Sequence, residues 1–551
     1  MSGQNDRNSD RRNDRASDRR DGRGRQRGAA RSQGSGHRSA AAPSQRRRGS
    51  DPARAVAYDV LRQVDGSDAY ANLVLPPMLR SRSITGRDAG FATELAYGTL
   101  RMRGRHDAVI ARCVDRHLDK IDPPVLDLLR LGTHQLTAMR VPNHAAVSET
   151  VGLAREKVGA GAAQFVNAVL RSVARTPVDE WLLAVGDAAR ATGGEDERLS
   201  VLESHPRWIT RALRESLVAA GRPAEETEDL LRADNAAPRV TLVVRPGLPV
   251  ERELAEIGGP KADRTPGTSG DGAPRSAPDG PSGPAGARRS PRTAAVVSTA
   301  AGRWAPTARV LEGGDPGALT GVREGSIGVQ DEGSQLVTLA FLAAEIEGPD
   351  ERWLDLCAGP GGKAALLAAV AGERGARVVA NEVQPHRTDL VHRALSAVMA
   401  DAVEDVRTGD GRAAGTTEPG AYDRVLLDAP CTGLGALRRR PESRWRRTPS
   451  DVGTLTALQG ELLRSALAAV RPGGMVGYVT CSPHLAETRF VVDDVLRGRD
   501  DVERVDAAAA VRQVVREAGG EEIELSDRSD VQLWPHLHGT DAMHLTLLRR
   551  R

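Results

Sequence analysis

The chain has 551 residues, 39% of them apolar and 3% aromatic, which leaves room for two to four domains whose cores are packed by aliphatic side chains. No run of about 18 or more apolar residues occurs, so a membrane-spanning helix is not expected. The polar first fifty residues also lack the apolar stretch of a secretory signal. The net charge of +3 conceals an asymmetry: residues 1–50 hold 14 Arg and 5 Asp, a net +9, against a net −6 for the rest of the chain.

That Arg-rich tail, residues 1–50, has too few apolar side chains to bury and is expected to be disordered. Its arginines suit contact with nucleic-acid phosphates, and equally a solvated tail that aids solubility. Lysine is scarce, four residues against 73 Arg. Residues 51–178 read as all-helical. Asp51-Pro52 is a start signal, "ARAVAYDVLRQVDG" sets Val56, Val60, Leu61 and Val64 on one face, and "AVSETVGLAREKVG" and "AAQFVNAVLRSVAR" repeat the helical period. Residues 179–257 are mixed, with a short strand predicted at Arg239–Val244. Residues 258–300 are rich in Pro, Gly and Ser without periodicity and read as a flexible insertion. From about residue 321 onward, apolar strand-like runs alternate with helical runs, which predicts a parallel α/β sheet.

The strongest motif opens this last block. In "RWLDLCAGPGGKAALLAAV", a strand over Trp353–Leu356 runs into a turn, Cys357-Ala358-Gly359-Pro360-Gly361-Gly362, and a helix begins near Lys363. Glycines there permit positive φ and close approach of backbone amides to a ligand at a helix N-terminus. The spacing is neither G-x-G-x-x-G nor a phosphate-binding P-loop, which needs Ser or Thr where Ala364 stands. A second strand, "ARVVANE", ends in Glu382, about twenty residues past the turn and suited to a ribose diol. "VRTGDGR" offers Asp410 at a third strand end, where a carboxylate can hold an adenine amino group. A nucleoside-bearing ligand without a phosphate requirement points to S-adenosylmethionine.

Two further strands carry thiols to the same edge. Val425–Leu427 ends in Asp428, Pro430 and Cys431, and "GMVGYVTCS" ends in Cys481. The four cysteines, Cys113, Cys357, Cys431 and Cys481, form no CxxC pair or disulfide framework, so a reducing, cytoplasmic setting is expected. Metal binding by Cys431, Cys481 and His484 lacks paired-ligand spacing, and no metal is expected. A redox disulfide and buried packing cysteines are the other readings.

Taken together, "DLCAGPGGK", "LLDAPCTG", "RRRPESRW" and "YVTCSPHLAE" resemble the RNA cytosine-5 methyltransferase superfamily. The helical region is similar to the NusB RNA-binding fold through "VLRQVDGSDAYANLVL", "ELAYGTLR", "NHAAVSETVGLAR" and "FVNAVLRSV". The combination resembles the RsmB (Sun/Fmu) family, which methylates 16S ribosomal RNA at one cytosine; "SHPRWI", "VQDEGSQLV" and "LWPHLHGTDAM" match it too. The resemblance implies a multidomain chain: an all-α NusB-like domain over 51–178, a small α+β domain over 179–320 interrupted by 258–300, and a Rossmann-like class I α/β methyltransferase domain over 321–551.

The resemblance also implies roles. Cys481 attacks carbon 6 of the cytosine, Cys431 assists release of the product, and Asp428 holds ring nitrogen 3 and exocyclic nitrogen 4. S-adenosylmethionine is held by the turn from Cys357 to Lys363, with Glu382, Arg387, Asp410 and Asp428. The target base leaves its stack, so single-stranded or loop RNA is the expected partner, and a monomer is the default expectation. The base that removes the carbon 5 proton is not identified. Thr432 stands where Ser is frequent, and His544 where an aromatic or other apolar residue is expected. A transfer-RNA target, or a non-catalytic RNA-binding assembly factor, is the alternative reading.

Overall fold

The computed structural model describes residues 50–67, 69–248, 250, 297–398 and 400–551. The Arg-rich tail up to residue 49 and residues 258–296 of the expected insertion lie outside the described residues. Helices fill the first part: α1 Pro52–Ser67, α2 Ala71–Ser81, α3 Gly86–Arg101, α4 Arg103–Ala111, α5 Pro123–Thr137, α6 Asn143–Lys157, α7 Ala160–Val173, α8 Val178–Leu202, α9 Arg207–Ala219 and α10 Thr227–Asn235. Val56, Val60, Leu61 and Val64 of α1 all enter one core with Leu95, Leu128, Leu129, Leu153, Val166 and Leu170, as their three-and-four spacing requires. Two prolines at the start of α5 cost no hydrogen bond there, since the first turn has spare N–H groups. No helix among the described residues is long and apolar enough to cross a membrane.

A four-stranded antiparallel sheet follows, built from β1 Thr241–Val244, β2 Ser298–Ala301, β3 Ala308–Gly313 and β4 Ile327–Val329 in the order β2-β3-β1-β4. Two boundaries differ from the sequence reading. Residues 298–300, assigned to the insertion, form an edge strand, and β4 lies beyond residue 320. Strand β2, Ser-Thr-Ala-Ala, has only small side chains and none of them is buried, so it lacks apolar alternation. Strand β4 has three residues and owes its place to pairing with β1, a partner distant in the chain.

The second sheet contains β5 Arg352–Asp355, β6 Arg377–Glu382, β7 Val403–Thr408, β8 Tyr422–Asp428, β9 Val470–Thr480, β10 Val502–Val505, β11 Val531–Gln532 and β12 His544–Arg550. Its order is β10-β12-β9-β8-β5-β6-β7, with β11 beside β12. Strands β9, β8, β5, β6 and β7 are parallel. Successive side chains enter opposite cores: Trp353 and Leu426 face one, Leu354, Val425 and Leu427 the other. The first core is closed by α11 Glu332–Ala343, α12 Gly362–Arg374, α13 Pro385–Leu395 and α16 Ala507–Glu517. The second is closed by α14 Pro449–Ala469 and α15 Arg489–Leu496.

The sheet is mixed rather than wholly parallel. The chain crosses the carboxyl edge before its last strand, so β12 begins with His544 opposite Thr480 and runs back antiparallel to β9. His544, expected to be apolar, is 1% exposed and accommodated as a neutral ring: Nε2 lies 2.9 Å from Thr546 Oγ1, and burial pushes its pKa down to about 4.

Residues 440–446, beyond β8, dock the helical part on the second sheet's domain. Arg444 is fully buried, and its guanidinium donates to the carbonyls of Arg101 (3.1 Å), Ser204 (3.2 Å) and Asp234 (2.8 Å) and to Asn235 Oδ1 (2.7 Å). Glu442 accepts from the Ala71 amide at 3.1 Å, and Arg440 and Arg446 stand over the Tyr70 ring. Truncating Arg444 strands three buried carbonyls and the part-buried Asn235 Oδ1. We expect Arg444→Ala to lower unfolding stability by about 3 kcal/mol in urea titration; a loss below about 1 kcal/mol would show that this pin contributes little.

Candidate active site

In the second sheet, β6 and β7 lie on one side of β5, while β8 and β9 lie on the other. The order of connection therefore reverses between β5 and β8, and loops leaving the carboxyl ends there diverge to open a crevice. The strand ends bring the sequence-predicted residues into one row: Cys481 after β9, Asp428 and Cys431 at β8, the glycine turn after β5, Glu382 on β6, and Asp410 after β7. Lys363, at the start of α12, reaches across the reversal, and its Nζ donates to Asp428 Oδ2 at 2.8 Å.

The turn needs its glycines for two reasons. Gly361 has φ +107°, and a Cβ there would lie 2.5 Å from the Ala394 Cβ of α13. A Cβ on Gly359 would collide with the Glu382 carboxylate. That carboxylate is 3% exposed and does not face solvent: it accepts from the amides of Gly359 and Gln384, each at 3.0 Å, and pairs with Arg387 at 3.5 Å. Arg387 in turn donates to the Gly359 carbonyl. Glu382 and Arg387 thus hold the turn itself in shape. Ala358 and Gly359 are buried, Pro360 is exposed, and Gly362 opens α12.

Asp410 lies two residues past β7, is exposed, and is gripped by Arg412: Oδ2 lies 2.6 Å from Nη2, and Oδ1 accepts the Arg412 amide at 3.0 Å. A ligand amine at this position competes with Arg412 for the same oxygens. Burial and the neighbouring carboxylates of Asp355, Asp428 and Glu382 hold the Cys357 thiol well above its usual range, which suits a packing role.

At the other end of the row, Cys431 Sγ and Cys481 Sγ are 3.3 Å apart, both are partly exposed, and both are free thiols. Their surroundings differ. Cys481 takes a hydrogen bond from Cys431 and faces Lys363 and Arg440, which together pull its pKa down against burial and Asp428. Cys431 gives that hydrogen bond and faces Glu487, so its thiol is held well above the usual range. When the pair loses a proton, these surroundings favour the thiolate on Cys481 and the thiol on Cys431. Among the described residues, no group of three or more His, Cys, Asp or Glu is arranged to hold a metal ion.

Sequence reasoning missed two buried carboxylates. Asp355, the last residue of β5, is 0% exposed, neither oxygen has a hydrogen-bond partner, and burial with Asp428 nearby pushes it up to about 8. The available signal was an acidic residue inside an apolar strand, "WLDL". Glu487 is also 0% exposed; it accepts from the Thr432 amide (2.7 Å), the Thr432 hydroxyl and the Ser482 hydroxyl (2.7 Å). Nothing in its spacing separates it from an ordinary surface Glu.

The crevice offers backbone amides beside a row of acidic groups, a set that fits a cationic nucleoside. Residues 344–549 match the family model described as 16S rRNA methyltransferase RsmB/F, and residues 51–175 match the NusB family model. A putative methyltransferase of Mycobacterium tuberculosis is 47% identical over 506 residues, covering 92% of this chain and 98% of its own. Ribosomal RNA small subunit methyltransferase B of Pseudomonas putida is 32% identical over 479 residues, covering 85% and 95%. The crystal structure of PH0851, 19% identical, superposes with a TM-score of 0.67 over 91% of this chain and 99% of that one.

Gly361→Ala forces a side chain into a positive-φ, sterically closed position. We expect it to reduce stability by about 3 kcal/mol, read as a lowered Tm. Gly362→Ala, whose Cβ meets nothing nearer than 3.8 Å, should leave Tm within a degree or two. Equal effects from the two would contradict this assignment.

Proposed function

The chain belongs to the RsmB/F family of ribosomal RNA methyltransferases, and on that footing we propose that it forms 5-methylcytosine, at one cytosine of 16S ribosomal RNA, through a transient bond from Cys481 to cytosine carbon 6. The observation that carries this reading is the pair of thiols 3.3 Å apart beside the Lys363–Asp428 contact, on the crevice that also holds the glycine turn.

Cytosine carbon 5 is a weak nucleophile. The Cys481 thiolate adds to carbon 6, forming a C–S bond and pushing electron density through the ring to carbon 5, which becomes enamine-like. Lys363 and Arg440 favour the thiolate needed for that addition. Asp428, a partly exposed carboxyl at the end of β8, serves as the acid: its O–H gives a proton to nitrogen 3 as the ring gains electron density, while its other oxygen accepts from the nitrogen 4 amino group.

S-adenosylmethionine supplies an electrophilic methyl group when bound. The residues suited to hold it are the Cys357–Lys363 turn with Arg387, Glu382 for the ribose, Asp410 for the adenine and Asp428 at the reacting end. After transfer, a base takes the carbon 5 proton, the C–H electrons restore the 5,6 double bond, the C–S bond breaks, and Cys481 leaves as the thiolate. Cys431, whose thiol lies 3.3 Å from Cys481, assists that release by hydrogen-bonding the departing thiolate. The base must leave its stack to reach the crevice, and the NusB-like helices beside it suit RNA contact.

Trapping separates the two thiols. With S-adenosylmethionine and 16S RNA, Cys431→Ala should accumulate a denaturation-resistant protein–RNA adduct, visible as a shifted band on a denaturing gel, and Cys481→Ala should form none. An adduct formed by Cys481→Ala would reverse the two roles. Absence of methyl transfer by the wild type to any small-subunit or transfer RNA would overturn the reaction itself.

A further inference from the structure

Glu487 lies six residues beyond Cys481, in the loop between β9 and α15, and is not accounted for by the chemistry above. Its carboxylate is sealed from solvent and gathers donors from both cysteine loops. Thr432, next to Cys431, gives its amide at 2.7 Å and its hydroxyl; Ser482, next to Cys481, gives its hydroxyl at 2.7 Å; Gln459 of α14 adds Nε2 at 3.3 Å. Gln459 also donates to the Pro430 carbonyl at 2.8 Å, so the β8 loop is held on two sides. A buried charge is costly unless fully paired, and here the partners that pair it are the residues flanking the two thiols.

We infer that Glu487 is a positioning residue that fixes the two thiols in register and reserves the proton of the pair for Cys431. This rests on the cytosine-5 reading of the site. Glu487 holds the Cys431 loop by two bonds, from the Thr432 amide and hydroxyl, and the Cys481 loop by one, from Ser482, whereas the cations Lys363 and Arg440, with the Asp428 carboxylate, face Cys481. On the Cys431 loop Arg447 donates Nε to the Thr432 carbonyl at 3.2 Å. The other titratable groups that face Glu487 and Cys431 are Tyr478, whose hydroxyl donates to the Glu487 carbonyl at 2.8 Å, and His484. Burial holds Tyr478 un-ionised and His484 neutral, so neither supplies charge to the pair near neutral pH. A negative charge beside Cys431 opposes loss of its proton, and the hydrogen bond it gives then stabilises the thiolate of Cys481.

The test is peptide-resolved alkylation of the protein alone across pH, followed by mass spectrometry. In the wild type, Cys481 should be labelled at lower pH than Cys431. Glu487→Gln keeps size and shape but removes the charge; the labelling midpoint of Cys431 should fall by about one pH unit, narrowing the gap between the thiols. Thr432→Val removes one donor and keeps the charge, so it should leave the Cys431 midpoint unchanged or raise it. An unchanged gap in Glu487→Gln would overturn the inference. So would a fall of the Cys431 midpoint in Thr432→Val, which would mark loop loosening as the cause and which still decides the matter if Glu487→Gln does not fold. No RNA is used, so failure of the proposed reaction would appear as absent methyl transfer and not as a change in these profiles.

Discussion

The contact between Cys431 and Cys481 is the constraint on which the site depends. Two thiols at 3.3 Å require two strand ends in fixed register, and β8 and β9 supply them by pairing in parallel up to Asp428 opposite Val479. Beyond the last ladder bond the loops must stay together without strand pairing. The Ala429 amide still reaches the Val479 carbonyl at 2.9 Å, and the Gly435 amide reaches the Cys481 carbonyl at 2.9 Å. Gly435 is tolerated there only without a side chain, since a Cβ would collide with the Ala542 carbonyl. The final loop of the chain thus closes over the thiol-bearing ends, which is why the last strand enters antiparallel.

Charge is arranged along the same edge. The crevice holds Asp355, Glu382, Asp410 and Asp428, with Lys363 and Arg387 placed among them, so the basic groups near the thiols stand out against an acidic background. Arg440 belongs to the catalytic segment yet stands over Tyr70 of the helical part. The segment that docks the NusB-like helices is therefore continuous, within a few residues, with the loop that carries Cys431. Helix docking and thiol environment are joined through one short stretch of backbone.

Much of this was legible in the residues. The period of α1, α6 and α7, the glycine turn between a strand and a helix, and the strand ends at Glu382, Asp428 and Cys481 all follow from local pattern. What was not legible depended on pairing between distant segments. Strand β2 has only small side chains, and β4 is three residues long; each exists because of a partner far away in the chain. The buried carboxylate of Glu487 and the buried guanidinium of Arg444 look like solvated surface charges until the elements around them close. Within the motif "RRRPESRW", Arg438 and Arg439 pair with Asp331 and Asp541 inside the protein, a placement the motif alone does not reveal. The turn from Cys357 to Lys363 could be placed from sequence, but the way Glu382 and Arg387 brace it could not.

The central claim is that the thiol pair and Asp428 direct a methyl group to carbon 5 of a cytosine. Nucleoside analysis tests it most directly: 16S RNA lacking its native methylation is incubated with the protein and isotopically labelled S-adenosylmethionine, digested to nucleosides and resolved by mass spectrometry. The account predicts label in 5-methylcytidine alone. Label in another base position, in a ribose methyl group, or on a nucleoside other than cytidine would contradict it.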